Sequence, residues 1–498
     1  PQIKFELLKT LGISFGKLGH YEKAVDVLKH SLLINPEESE STSYLARYLF
    51  NTDQNQELLK LLDQINIANY QSKSDILRIY RIKARILASH SDYQQAIELI
   101  EKSKQINSPK DPIETALTAN IEAQIYYYQS NPTKSIEILT NLISHAPLAA
   151  SNTVLLATRS QLASYYDEIG QYEQAIAQWQ EIIKVQKKIL GNKHPELASS
   201  LLQLSISYKH IGDYDNAYKM LDKAYEISLN TYGLFSAVTA EILNSRAIYD
   251  SAQGKMDEAI ESMKKAIDIL QQIRSTNQQD INIFKTNLAL FYLQTDRNIQ
   301  AQQILNELYN YQSNKLGKSH VSTLYTQQLL ARALDSLGKK QQAIELAKMA
   351  VESSQKYLQD KNNNHIIVGA YYTLAKLYHS NSQYQLAVQN YLKIIDEELL
   401  NPKDGNYALM LFSIAKLYTD MGDFDNAQKY FKEAIEKHSN IFSANHPKTL
   451  KIQIRYAQLL KAYGKDQQYQ QLKNLIQATI KENYIEDEDM VQLSAELD

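Results

Sequence analysis

The chain has 498 residues and 44% hydrophobic content, enough for about three or four ordinary domains, yet it holds only 14 Gly and 9 Pro against roughly 7% and 5% in average soluble proteins. That shortage of turn formers excludes sandwiches, barrels and β/α enzymes and leaves a mostly helical chain. A net charge of -3 gives no global field for nucleic acid or an acidic membrane, and a count of 0 Cys removes disulfides, thiolate zinc and cysteine nucleophiles and fits a reducing, cytoplasmic setting.

In chain order, the opening PQIKFELLKTLG enters directly on a helical pattern without an initiator Met or signal-peptide layout, and reads as a processed or cut chain. A G-x-aromatic-x-x-A motif then recurs at Gly19/Tyr21/Ala24, Gly170/Tyr172/Ala175, Gly212/Tyr214/Ala217 and Gly422/Phe424/Ala427, with weaker copies at Gly254/Ala259 and Gly338/Ala343. Degenerate copies complete one column: Ala24, Leu58, Ala96, Ser135, Ala175, Ala217, Ala259, Ala301, Ala343, Ala387, Ala427 and Tyr469. Twelve residues before each stands a second column, Gly12, Ala46, Ala84, Ala123, Ala163, Ser205, Ala247, Ala289, Ala331, Ala375, Ala415 and Ala457, and all of it is small. Two antiparallel helices approach closely only where one presents no bulky side chain, so each pair of columns predicts one helix-turn-helix unit. Shorter, more degenerate units fill 1–150, and regular units at a period near 42 fill 151–480. Residues 481–498, KENYIEDEDMVQLSAELD, leave the pattern as an acidic tail or capping helix.

These residues resemble the tetratricopeptide repeat family. The family's Leu, small residue, Tyr, Gly, aromatic and Ala stand in the fifth unit as Leu162, Ala163, Tyr166, Gly170, Tyr172 and Ala175, and Pro36 matches the closing proline of the first. The 42-residue period, with an L-G-x-x-H-P loop at Leu190, Gly191, His194 and Pro195, in part at Leu316, Gly317 and His320, and again at His446 and Pro447, is similar to the kinesin light chain subclass. The resemblance implies an all-α, right-handed superhelical solenoid of about twelve repeats over 1–480. It also implies a binding protein for a protein or peptide ligand. Arg246 and Asp250 in the seventh unit, and Ser130, Pro132 and Ser135 in the fourth, depart from the pattern and are expected to loosen or bend the stack locally.

Catalytic chemistry finds no foothold. The 11 histidines include no i, i+4 pair and no H-E-x-x-H frame, so no metal and no cofactor is expected. His194, His320 and His446 recur at one loop position, where capping a turn is the expected role. Phosphate-binding and hydrolase glycine motifs are absent, and the chain reads as a non-enzyme.

What remains is surface. By resemblance, the first helix of each unit lines a concave groove, with Asn120, Gln161, Gln203, Asn244, Asn287 and Gln328 forming an amide ladder able to bind a peptide backbone. In the kinesin light chain group such Asn residues line the cargo groove, and this chain keeps some of them. The residue after each small anchor also points inward in the family: Ile13, Arg47, Arg85, Gln124, Ser164, Ile206, Ile248, Leu290, Arg332, Lys376, Lys416 and Gln458. A groove with an apolar middle and basic stretches on both sides prefers a partner with an apolar centre and acidic flanks. The carboxylate clamp of chaperone-binding members is not matched. The leading reading is an adaptor or scaffold. The alternative is a sensory or regulatory module whose change of pitch controls an effector domain.

Overall fold

The computed structural model describes residues 2–17, 21–52, 54–70, 72–107, 111–145, 147, 149, 152–273, 278–357, 364–402, 405–484 and 488–497. Gly19 of the first motif lies outside the described residues. Among them are 25 α-helices and no strand, and the chain divides into two compact units, Pro1–Tyr249 and Asp250–Asp498.

The first unit is built of helix pairs: α1 Gln2–Lys17 with α2 Tyr21–Leu32, α3 Ser39–Asn51 with α4 Asn55–Gln64, α5 Lys73–Ser89 with α6 Tyr93–Ile106, and α7 Pro112–Tyr128 with α8 Pro132–His145. Next come α9 Thr153–Glu168 with α10 Tyr172–Leu190, α11 Pro195–His210 with α12 Tyr214–Tyr232, and α13 Ala237–Ala252, which reaches the division. The second unit continues with α14 Met256–Gln272, then α15 Gln278–Gln294 with α16 Asn298–Lys315, and α17 Val321–Ser336 with α18 Lys340–Ser354. It closes with α19 Asn364–Ser380 and α20 Tyr384–Asp396, α21 Gly405–Asp420 and α22 Phe424–Phe442, α23 Pro447–Ala462 and α24 Asp466–Asn483, and the short α25 Glu488–Ala495.

Both small columns are sealed. Ala46, Ala84, Ala123, Ala163, Ser205, Ala247, Ala289, Ala331, Ala375, Ala415 and Ala457 are 0% exposed, and so is every Ala of the column that begins at Ala24. In α1 the position is Gly12, where an added Cβ would fall 2.7 Å from Leu28 Cγ on α2. In the degenerate fourth pair the two columns meet by a hydrogen bond, Ser135 Oγ donating to Ala123 O at 2.7 Å. Serine there is a substitution that keeps the helices together, because its hydroxyl finds an acceptor on the facing backbone. Arg246, the other departure, pairs with Asp222 and lies 6.0 Å from the Tyr218 ring centroid.

The joints follow from local chemistry. The turn between paired helices needs one left-handed residue, and glycine takes it at Gly212 (φ 78°) and five similar turns, while Ser382 (φ 57°) and Asp296 (φ 55°) hold the same conformation against their Cβ. In the L-G-x-x-H-P loops, Gly191 (φ 86°) ends α10 and Pro195 opens α11. His194 is its N-cap: Glu196 N–H donates to His194 Nδ1 at 3.3 Å. His320 and His446 repeat the cap toward Ser322 and Lys448, both at 3.2 Å. The histidine column is therefore spent on orphan helix amides.

The sealed columns give a sharp expectation. Ala217→Leu would force a branched side chain between α11 and α12, where overpacking costs about 1–3 kcal/mol, and urea denaturation should show the loss as a lowered midpoint.

Candidate partner-binding grooves

Within each unit, successive first helices pack directly on one another: α3 on α5, α5 on α7 and α7 on α9 in the first, α15 on α17 and α17 on α19 in the second. This contact makes the first helices an inner layer. The residue after each small anchor lies on it, half-buried or exposed in all twelve cases and never in the core. Arg47, Arg332, Lys376 and Lys416 are exposed, whereas Arg85 is half-buried. Several of these cations rest on aromatic faces: Arg85 Cζ lies 4.2 Å from the Phe50 centroid, Lys376 Nζ 5.3 Å from Tyr372 and Lys416 Nζ 5.9 Å from Phe412. Burial pushes the Arg85 guanidinium pKa down, and its Nε is buried without a partner.

The six amides do different things. Gln161 Nε2 donates to Asn120 O at 3.1 Å and to Tyr165 OH at 2.8 Å, and Asn120 Oδ1 accepts from Thr158 Oγ1 at 2.9 Å. This pair ties α7 to α9. Gln328 is buried, and its Oε1 would lie 2.9 Å from a Cβ placed on Gly369, so it fills the space between α17 and α19. Asn244 is half-buried. Gln203 and Asn287 border cavities.

Such cavities lie between neighbouring first helices in both units. In the first unit, one of about 380 Å³ opens between α9, α10 and α11. In the second, one of about 590 Å³ lies between α15, α16 and α17, and one of about 910 Å³ between α19 and α21. The largest is walled by Val368, Tyr372, Leu409, Met410 and Phe412. Its two aromatic walls are the rings on which Lys376 and Lys416 rest.

Sequence reasoning missed a polar network in the first unit. On α5, Arg81 is 8% exposed and pairs with Glu114 at 2.6 Å, while Arg78 pairs with Asp75 at 3.0 Å and lies 4.0 Å from the Tyr44 centroid. Asp75, itself buried, accepts from Ser39 Oγ at 2.8 Å and Ser43 Oγ at 3.0 Å. Arg78, Arg81 and Arg85 stand at helical spacing, a signal that was available in the sequence. Among the described residues no group of three or more His, Asp or Glu is placed to hold a metal ion, and no helix is long and apolar enough to cross a membrane.

In the second unit His438 is 0% exposed. Its Nδ1 lies 2.7 Å from Thr449 Oγ1, its ring packs on Phe442 and His446 at 4.7 and 5.7 Å, and its Nε2 is buried without a partner. Burial first, then the nearby His446 and Lys448, push its pKa below the ordinary 6.5. A base depressed in the folded state contributes stability that is fully present above its unfolded pKa and declines as the pH falls from about 6.5 toward the folded value. Thermal melts of the wild type should therefore fall through this window more steeply than those of His438→Gln, and equal slopes would contradict the assignment. At Glu114, Gln in place of Glu leaves Arg81 buried and unpaired, at a cost of about 3–5 kcal/mol by the measure of broken buried pairs, again readable in the urea midpoint.

Comparison with known proteins places these features in context. The tetratricopeptide repeat description matches residues 154–217, 202–272, 280–356 and 406–468, and a second description of the same repeat matches 368–398. The clustered mitochondria protein homolog of Kluyveromyces lactis is 30% identical over 127 residues, 25% of this chain and 10% of that protein. Human tetratricopeptide repeat protein 19, mitochondrial, is 30% identical over 115 residues, 23% of this chain and 29% of that one. The match thus spans a tenth of the first relative and under a third of the second. A crystal structure of nearly identical TPR-like repeats from a Podosopora anserina putative kinesin light chain shares 24% identity, covers 42% of this chain and 99% of that chain, and has a TM-score of 0.38.

Proposed function

The chain belongs to the tetratricopeptide repeat family, whose stacked helix pairs serve as protein-interaction scaffolds, and from that premise we propose that its first-helix layer holds a protein or peptide segment without performing chemistry on it. The observation that carries this reading is the 910 Å³ cavity between α19 and α21. Apolar walls at Tyr372, Leu409, Met410 and Phe412 offer an anchor for a partner's apolar side chain. Lys376 and Lys416, stacked on two of those walls and exposed to solvent, offer charge to acidic residues on either side of that anchor. The occupant is then a segment with an apolar centre and acidic flanks. Arg47, Arg85 and Arg332 extend the same preference along the layer within their own units. No nucleic acid or membrane surface is part of this reading, because a net charge of -3 supplies neither with an attractive field, and a cytoplasmic scaffold is the setting proposed.

Dodecapeptides selected from a random display library on the full chain test it. Hydrogen exchange should show protection of α19 and α21 by the selected peptides. Lys376→Glu with Lys416→Glu should weaken binding at least tenfold and flatten its salt dependence without moving the melting curve. Protection confined to the second helices, or an unchanged affinity and salt slope in the double variant, would overturn the reading.

A further inference from the structure

The cavity of about 380 Å³ in the first unit has a different chemistry from the site proposed above. Leu156, Trp179 and Ile182 wall it, Gln186, Glu196 and Gln203 border it, and no Lys or Arg does. Gln186 borders it from α10. It is 7% exposed, and its Oε1 is buried without a hydrogen-bond partner. A buried amide oxygen left without a donor is costly, and a native structure that keeps one invites a ligand group to supply the missing hydrogen. At the mouth, Glu196 is exposed in the first turn of α11. Its carboxylate has no ion pair among the described residues, and the His194 cap engages only its backbone N–H.

The arrangement is repeated. At intervals of three 42-residue periods after Gln186 stand Gln312 and His438, 4% and 0% exposed, each bordering a cavity with a buried, unpartnered Oε1 or Nε2. The second helix thus presents one polar side chain to a gap between first helices in three separate places. The rims differ in charge. Lys315 borders the cavity at Gln312 and Lys448 that at His438, whereas Glu196 alone brings charge to the one at Gln186.

We infer that the cavity at Gln186 receives a lysine or arginine side chain of a bound segment. The aliphatic stem lies along Leu156, Trp179 and Ile182, and the cationic head donates to Gln186 Oε1 and to the Glu196 carboxylate. A stem with a charged tip suits a slot that is apolar along its length and polar at its ends. The assignment rests on the reading of the first-helix layer as the partner-binding face. It adds a basic determinant in the first unit to the acidic and apolar ones proposed for the second.

Trp179, the 1 Trp of the chain, is a built-in reporter, held by a hydrogen bond from its Nε1 to Asp167 Oδ2 at 3.4 Å. Blocked pentapeptides Ala-Ala-X-Ala-Ala, with X as arginine, lysine, citrulline, norleucine or glutamate, are titrated into the full chain while its fluorescence is followed. Arginine and lysine should bind about tenfold more tightly than citrulline and norleucine, the margin of one charge-assisted contact. Glu196→Gln should bring arginine down to the level of citrulline with an unchanged melting curve, and Gln186→Leu should weaken arginine and lysine without lowering the melting temperature. Equal binding of arginine, citrulline and norleucine, or a preference that survives Glu196→Gln, overturns the inference. If that happens while the selected dodecapeptides still protect α19 and α21, the side-chain assignment falls and the groove reading stands. If no pentapeptide and no dodecapeptide binds, both fall.

Discussion

Close approach of two helices across a pair of small residues is the constraint on which the rest of the structure hangs. Where Ala163 faces Ala175 or Ala415 faces Ala427, all fully buried, the backbones come near enough that no larger side chain has room. Large apolar residues are displaced to the sides of the pair. There they can be covered only by the next pair, as Leu201, Leu221, Ile242 and Tyr249 are in one continuous cluster of the first unit. Phe431, Leu450 and Ile476 do the same in the second. Tyr249 shows the coupling in one contact: its hydroxyl meets Ser205, itself a small-column residue, at 3.0 Å, and burial pushes the phenol up to about 12.

Buried polar groups at and behind the inner layer fall into two populations. One is consumed in holding neighbouring first helices: Asp75 with Ser39, Ser43 and Arg78, Arg81 with Glu114, and Asn120 with Gln161 and Thr158. The other is buried yet unfulfilled, and Gln186, Gln312 and His438, on the second helices, are those of its members that share one repeated position. A side chain of the first kind serves cohesion. One of the second kind leaves the fold carrying an unmet demand, which is the usual mark of a place where a polar partner belongs.

The fold was legible in the sequence because the small-residue columns are a one-dimensional record of a three-dimensional contact. Ala217 and Ser205 carry that signal without help from any other part of the chain, and Gly170, Gly212, Gly254, Gly338 and Gly422 mark turns that a left-handed residue completes. The grooves were less legible, since a position on the inner layer does not determine what covers it. Gln328 counts as a ladder member by register, yet it is buried beside Gly369, about one repeat away in sequence. Arg81 finds Glu114 across 33 residues, a pairing set by the packing of α5 on α7. Leu58 and Tyr469 break the small-residue rule of their column and are nevertheless buried, 0% and 4% exposed. The Tyr469 hydroxyl reaches Leu497 O, a contact that belongs to the tail and lies outside the repeat register altogether.

The histidine caps carry a consequence for how such a chain can change over evolutionary time. Because Gly191, His194 and Pro195 finish one helix and start the next using only atoms within a few residues of themselves, each joint is self-contained. Cutting the gene at two equivalent joints and removing what lies between would bring together ends of identical chemistry, with the faces of the flanking pairs still matched. A loss of one or two residues within a helix would instead rotate every later side chain of that helix by about 100° or 200° off its face. Length in this architecture is therefore a quantity that grows and shrinks in whole helix pairs, and the joints mark where recombination leaves a foldable product.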